Sequence, residues 1–150
     1  MIDININMKM NININMKDKD KFIQVKETYP ERIIFNKELN IFFIRELEIN
    51  ENDKFLILGN NKNTEYVDIY KCKFNTKIIS TLFAENFSNV VTVILNYNNL
   101  DSEFVNDIIT LMSICKKLTL LDLCDNNFNN NDIDCIQKAA NEYPNLKLCF

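Results

Sequence analysis

The sequence predicts an α/β solenoid, a stack of similar units in which short parallel strands form a curved, concave sheet and helices cover the convex side. Three observations predict it. An apolar pattern returns at intervals of about 26 to 28 residues, apolar and polar residues alternate within each occurrence, and amphipathic segments lie between the occurrences. Hydrophobic residues make up 47% of the 150 residues, which is enough for a core, so we expect a folded chain.

The first 20 residues nearly duplicate themselves, because Ile-Asn-Ile-Asn-Met-Lys occurs at 4–9 and again at 12–17. The alternation is typical of a strand, although Asn is a poor strand residue. We interpret residues 1–20 as a low-complexity tail. The alternative is a strand that pairs with a sheet edge or with a partner.

Residues 21–63 are predicted to form an N-terminal cap or a degenerate repeat, in the order strand, helix, strand. The segments 32–35 and 55–58 contain short apolar runs that indicate strands. The helix is predicted from the i, i+3, i+4, i+8 spacing of Leu39, Phe42, Phe43 and Leu47. Such a cap would cover the first apolar edge of the stack. An independent all-strand subdomain is the alternative interpretation.

The strongest signal is the segment 90–100, which returns further along the chain as 118–128. Both copies have apolar residues at relative positions 1, 4, 6 and 11 and Asn at position 9. A weaker copy begins at Thr64, ahead of the copy that begins at Val90, and a further strand begins at Leu146. We therefore expect residues 64–150 to hold about three units followed by a terminal strand.

This pattern, L-x-x-L-x-L-x-x-N/C-x-L, resembles the leucine-rich repeat, and its length resembles the helix-containing class typified by ribonuclease inhibitor. The resemblance covers residues 64–150, and Thr64 departs from it by standing where Leu is usual. It implies that the position-9 residues stack as a structural ladder: Cys72, Asn98 and Asn126. A side-chain amide can pair there with backbone groups where the chain leaves the strand.

The segments between the strands are predicted to be helices. Ser102 is the expected N-cap of a helix over 103–116, and Asp132 opens a second helix that ends at Pro144. The inward residues expected for these two helices and for that of the first unit are Phe104, Ile108, Leu111, Met112, Cys115, Ile133, Ile136, Ala140, Tyr143, Ile78, Ile79, Leu82 and Phe83.

Outward strand residues, at relative positions 3, 5 and 7, would pave the concave face of such a sheet. Apolar side chains there cannot be buried by their own unit, and Tyr is a favoured anchor at interfaces. We therefore predict a non-catalytic protein-protein interaction surface. Its residues are Tyr66, Asp68, Tyr70, Thr92, Ile94, Asn96, Leu120, Asp122 and Cys124.

The composition argues against most other functions. With no His and a single Gly, the chain lacks the residues for imidazole-based catalysis and for phosphate-binding loops. Asp68 and Asp122 would lie about 10 Å apart in one column, but nothing in the sequence indicates a cleft around them. We therefore expect no enzyme, no cofactor and no metal site. A net charge of -4 with dispersed Lys and Arg argues against nucleic acid as partner.

Five cysteines without a C-x-x-C pair favour a reducing, cytoplasmic compartment, which would be host cytosol if the source were an intracellular bacterium or virus. No stretch approaches the ~20 apolar residues of a membrane-spanning helix, so we expect no membrane insertion. The alternative functions are a structural subunit of a larger assembly and the substrate-recognition adaptor of a ubiquitin ligase. Self-association through the C-terminal edge strand, 146–150, is a further hypothesis.

Overall fold

A computed structural model of the chain describes residues 32–36, 39–49, 63–74 and 78–150. Within these ranges the protein is a mixed α/β structure, with one mostly parallel sheet and helices between its later strands. The tail predicted at 1–20 and the strand predicted at 55–58 lie outside the described residues.

Eight strands are described: β1 (Ile33–Asn36), β2 (Ile41–Arg45), β3 (Glu48–Ile49), β4 (Tyr66–Tyr70), β5 (Lys73–Phe74), β6 (Thr92–Ile94), β7 (Leu120–Asp122) and β8 (Lys147–Cys149). Six of them form one sheet in the order β1-β2-β4-β6-β7-β8, and β3 pairs with β5. β1 and β2 are antiparallel, and every other described pairing is parallel. The predicted α/β class with a mostly parallel sheet is therefore confirmed.

Residues one sequence period apart lie side by side in this sheet. Val67 pairs with Val93, Val93 with Leu121, and Leu121 with Leu148. The side chains of Val67, Val93 and Leu121 are fully buried in the hydrophobic core that the strands share with the helices. Their neighbours along each strand are half-buried, because successive side chains of a strand point to opposite faces.

The helices are α1 (Ile79–Asn86), α2 (Val105–Ile114) and α3 (Asn130–Ala140), and a short 3-10 helix at Ser102–Phe104 precedes α2. α1 packs on α2, and α2 packs on α3. All the inward residues predicted for the first unit and for α2 are buried. In α3 only Ile136 is buried among the predicted residues, because α3 is the last helix of the described row and has no described helix on its far side.

Both predicted helix caps are wrong. Asp101, rather than Ser102, caps the first helical segment, and its Oδ1 accepts a hydrogen bond from the Glu103 N–H at 3.0 Å. Asn129, rather than Asp132, caps α3, and Asp132 completes a capping box three residues later. The two observed caps have extended backbone, which aims their side chains back at the first free N–H groups of the helix. α2 and α3 also end earlier than predicted.

The helix predicted from residues 39–47 is also wrong, because residues 41–45 form β2. Phe42 and Ile44 are each 1% exposed, while Phe43 between them is half-buried, so burial alternates as in a strand. The apolar run is compatible with both periods, and pairing with β1 on one side and β4 on the other selects the strand. Leu39, the first residue of the predicted helix face, is 59% exposed.

The chain leaves β2, β4, β6 and β7 through a residue with left-handed backbone. Glu46, Lys71, Tyr97 and Asp125 have φ between 51° and 59°. The last three stand directly before the position-9 residues of their units. Because none of the four is Gly, each holds this conformation at a cost of about 1 kcal/mol. The same turn geometry therefore recurs at the same position of the sequence pattern.

Candidate functional site

Six of the nine residues predicted to bind a partner lie in two columns across neighbouring strands. One column is Tyr66, Thr92 and Leu120, and the other is Asp68, Ile94 and Asp122. The other three residues are not paired with one another, because Tyr70 is the last residue of β4, whereas Asn96 and Cys124 lie in the turns after β6 and β7. All nine side chains are half-buried.

The prediction missed the contribution of β2, because that segment was interpreted as a helix. Three outward residues of β2 lie directly beside β4: Ile41 next to Tyr66, Phe43 next to Asp68, and Arg45 next to Tyr70. We call these three residues and the nine predicted ones the outer face. The missed signal is a further copy of the apolar pattern ahead of Thr64, at relative positions 1, 4, 6 and 11: Leu39, Phe42, Ile44 and Ile49.

Two aromatic pairs lie at the two ends of β4 on the outer face. The rings of Phe43 and Tyr66 have centroids 6.0 Å apart, and those of Tyr70 and Tyr97 have centroids 5.4 Å apart in an edge-to-face arrangement. Tyr97, which adjoins the outer face, is 45% exposed. Its hydroxyl hydrogen-bonds the Asp125 carboxylate, which raises the pKa of Tyr97 because the bond requires the neutral hydroxyl.

Cationic side chains lie over these rings. The Arg45 guanidinium carbon is 5.4 Å from the Phe43 centroid, and the Lys71 ammonium nitrogen is 5.1 Å from the Tyr70 centroid. Both distances are within the range of cation–π attraction. The aromatic rings of this face therefore attract positively charged groups, and one guanidinium already stacks there.

Asp68 lies between the two aromatic pairs. Its Oδ1 is buried, and it accepts no hydrogen bond from any described residue. Burial raises the pKa of the Asp68 carboxyl, the charge of Arg45 opposes this shift, and the charge of Asp122 adds to it. Burial also raises the pKa of Tyr66, with Asp68 as the next contribution. The centre of the outer face is thus an ionisable group whose buried Oδ1 receives no hydrogen bond from the described part of the chain.

Asp122, in the same column, has a different environment. Its Oδ1 accepts a hydrogen bond from the backbone N–H of Cys124 at 2.9 Å. The Cys124 thiol also interacts with the Asp122 side chain, and this side-chain hydrogen bond is the main reason why the pKa of the thiol is raised to about 11. The two aspartates of the column therefore differ, because only Asp122 has a donor from the described chain.

The position-9 residues connect neighbouring strands through buried hydrogen bonds. Asn98 Oδ1 accepts a hydrogen bond from the Cys72 N–H at 2.7 Å, and Asn98 Nδ2 donates to the Ile69 carbonyl at 2.7 Å. Asn98 is 2% exposed. The side chain therefore satisfies one backbone donor and one backbone acceptor of the preceding unit.

Asn126 makes the corresponding contacts one unit later. Its Oδ1 accepts from the N–H groups of Asn98 and Leu100, both at 3.0 Å, and its Nδ2 donates to the carbonyls of Leu95 and Leu123, both at 2.8 Å. Asn98 and Asn126 thus form a series, here called the ladder, in which each side-chain amide bonds the backbone of the unit before it, and Cys72 contributes its backbone N–H.

No group of three or more His, Cys, Asp or Glu side chains in the described ranges is arranged to hold a metal ion. Burial raises the pKa of the Cys72 thiol to about 11 and that of Cys115 to about 12, so both are uncharged and poorly nucleophilic at neutral pH. A groove of about 650 Å³ lies between α3 and β8, and neither Asp68 nor Asp122 lines it.

Comparison with protein-family models, with curated proteins and with solved structures finds no match to this chain. In the part of the chain that the structure describes, no helix has the length and apolar character needed to cross a lipid bilayer. The function must therefore be argued from the geometry of the outer face.

Proposed function

We propose that the chain is a leucine-rich-repeat protein of the ribonuclease-inhibitor-like class that binds a protein partner, without catalysis, through the outer face of its sheet. One observation carries the proposal. Large aromatic and aliphatic side chains of the outer face, such as Tyr70, Ile94 and Leu120, remain partly exposed on the side of the sheet opposite the buried core. Uncovered apolar groups of this kind are typical of protein interaction surfaces.

The sequence period and the strand register support the repeat assignment. Val67, Val93 and Leu121 have the same relative position in successive units and neighbour one another in the sheet. The turns after their strands share the left-handed residue, and the ladder amides join one unit to the next. A helix follows each of these three strands. Residues one sequence period apart thus lie at corresponding positions of neighbouring strands, and this agreement supports a stack of repeats.

The kind of side chain exposed supports protein binding in preference to a merely solvated surface. Tyr is enriched in binding hot spots, since it offers a large apolar ring at low entropic cost together with a polar end. The Tyr70 and Tyr97 rings pack edge to face against each other, which reduces the side-chain ordering that binding requires. We also propose a cytoplasmic setting, which is supported by free rather than disulfide-bonded cysteines in the described ranges.

The test compares two triple variants in the native source. Tyr70→Ser, Ile94→Ser and Leu120→Ser together remove the apolar groups of the outer face, whereas a matched control replaces three exposed helix-side residues: Glu103→Ser, Lys117→Ser and Gln137→Ser. We expect a partner to co-purify with the native chain and the control but not with the outer-face variant. The identified partner is then purified and its affinity for each chain is measured directly. Equal affinity for the native chain and the outer-face variant would refute the proposal.

A second candidate function, packing as a subunit of a larger assembly or as a homodimer, is favoured by the region around β8. Leu146 and Leu148 are only half-buried, and with Tyr143 they line the groove next to α3. β8 is an edge strand of the described sheet, and exposed edges invite pairing with another chain. Light scattering during size-exclusion chromatography distinguishes the two candidates, because a dimer that Leu148→Glu converts to monomer would favour association through this edge.

A further inference from the structure

We infer that the outer face binds an arginine side chain of its protein partner, and that the guanidinium donates hydrogen bonds to Asp68 between the two aromatic pairs of β4. The inference rests on the proposed function and specifies the chemistry that the partner must present. It is carried by the hydrogen-bonding state of Asp68, by the rings on either side of it, and by the positions of the nearby cations.

The first step is the missing donor. Asp68 is half-buried with Oδ1 inaccessible, yet it accepts no hydrogen bond from the described chain. A carboxylate in this position loses part of its hydration without receiving a replacement, which is unfavourable. Asp122, two strands away in the same column, receives the Cys124 N–H. Because Oδ1 cannot be reached from solvent, a charged donor from a partner would bind the other oxygen, Oδ2, and would offset the lost hydration of the carboxylate.

The second step is the shape of the surroundings. Tyr66 and Tyr70 stand two residues before and after Asp68, so all three side chains project from the same side of β4. Tyr66 lies against Phe43, and Tyr70 lies against Tyr97. A cation that reaches Asp68 therefore has an aromatic pair on each side.

A guanidinium fits this setting better than an ammonium group. It is planar and weakly hydrated, and it can stack on an aromatic ring while its N–H groups donate to the accessible oxygen of the carboxylate. The Arg45 guanidinium, which stacks on Phe43, demonstrates the compatibility of such a group with this face.

The third step is that the chain's own cations leave Asp68 available. Arg45 is close enough to lower the pKa of Asp68 but lies over Phe43 and donates no described hydrogen bond to the carboxylate. Lys147 is on β8, three strands from β4, where it pairs with Leu120 of β7. It is therefore closer to Asp122, which is also on β7, than to Asp68. Lys71 lies over the Tyr70 ring, 5.1 Å from its centroid, and it also donates no described hydrogen bond to Asp68. The Asp68 carboxylate therefore remains open to a cationic donor from a partner.

The test uses a library of random dodecapeptides displayed on phage and selected on the immobilised full-length chain. Selected peptides are synthesised, and each arginine is replaced in turn by citrulline, which keeps the shape and removes the charge. We expect arginine to be enriched in the selected peptides. For one arginine, replacement should weaken binding to the native chain about 10-fold or more, as expected for loss of a charged hydrogen bond.

The same replacement should have no further effect on binding to the Asp68→Asn variant, because the interaction is already absent there. The control variant Asp134→Asn makes the same change of charge on the exposed surface of α3 and should bind every peptide as the native chain does. Anisotropy of labelled peptides gives the affinities, and thermal melting verifies that both variants are folded.

The other outcomes separate this inference from the proposed function. Peptides that require Tyr70, Ile94 and Leu120 but bind the Asp68→Asn variant with unchanged affinity would overturn the arginine inference and leave the proposed function intact. A selection that yields no binder, or only binders that tolerate the triple outer-face variant, would overturn the proposed function and the inference together.

Discussion

Replacing Asn98 by alanine tests whether the ladder holds the units together. The native side chain accepts from the buried Cys72 N–H and donates to the Ile69 carbonyl, both at 2.7 Å, in a site that is 2% exposed. Alanine leaves both backbone groups without these partners. Each buried polar group left unsatisfied costs about 1 to 3 kcal/mol, so the variant, which leaves two, should lose roughly 2 to 6 kcal/mol. Folded proteins are stable by only about ten kcal/mol, so this loss is a large share of the total.

The assay is urea unfolding of Asn98→Ala, followed by far-ultraviolet circular dichroism. The midpoint should fall while the dependence on urea concentration stays the same, which indicates an unchanged folded structure. Asn96→Ala is the matched control, since Asn96 is half-buried in the same turn and makes no described side-chain hydrogen bond, and it should change stability by less than about 0.5 kcal/mol. If the two variants unfold at the same urea concentration, the ladder does not stabilise the chain and our explanation of the register is wrong.

Three further predictions concern stability. Leu95→Ala should cost about 2 to 5 kcal/mol in urea unfolding, because Leu95 is 0% exposed and its loss opens a cavity; a loss below about 1 kcal/mol would contradict its core position. Glu46→Gly should stabilise by up to about 0.5 kcal/mol, since Gly avoids a penalty of about 1 kcal/mol for φ of 54° but loses about 0.5 to 1 kcal/mol more in backbone entropy. Glu65→Gly, where φ is not positive, should instead destabilise. Asp68→Asn should stabilise the free protein at pH 7, because a carboxyl whose folded pKa lies above its unfolded value destabilises the fold once it is ionised. This gain should disappear as the pH falls below the usual carboxyl pKa of 3.8, where the native Asp68 is protonated in both states, and thermal melting across pH would detect a gain that fails to do so.

The parallel part of the sheet was predictable because its information is periodic. Side chains such as Val93 and Leu121 repeat at a fixed spacing, and identical spacing places equivalent residues side by side when units stack. The ladder followed for the same reason, since Asn98 and Asn126 share a position whose amide can serve the neighbouring backbone. Local detail was less predictable. Two polar residues can compete to begin a helix, and the backbone at Asp101, rather than at Ser102, is extended in the way a cap requires.

β2 was missed because a short run of mostly apolar residues contains too little information to distinguish a strand from a helix. Pairing with neighbouring strands selects the strand conformation of β2. Its partners are β1, which precedes it, and β4, which lies much further along the sequence. The environment of Asp68 was equally beyond local prediction. It depends on Arg45 from β2, on Asp122 from β7 and on the burial of one Asp68 oxygen. These groups come together only when the whole sheet has formed.

Under the proposed function, stability and recognition depend on alternating residues of the same strands, and Asp68 is the residue at which the two requirements conflict. A β-branched residue in the middle of β4 would serve the free protein better than a half-buried carboxylate without a donor. Asp68→Asn should therefore have effects of opposite sign, with the free chain becoming more stable and the complex becoming weaker. A solvated carboxylate with no role in binding would change neither quantity appreciably. Opposite signs at Asp68, together with no change in either quantity at Asp134, would show that the unfavourable burial is compensated in the complex, because only a bound donor can offset it.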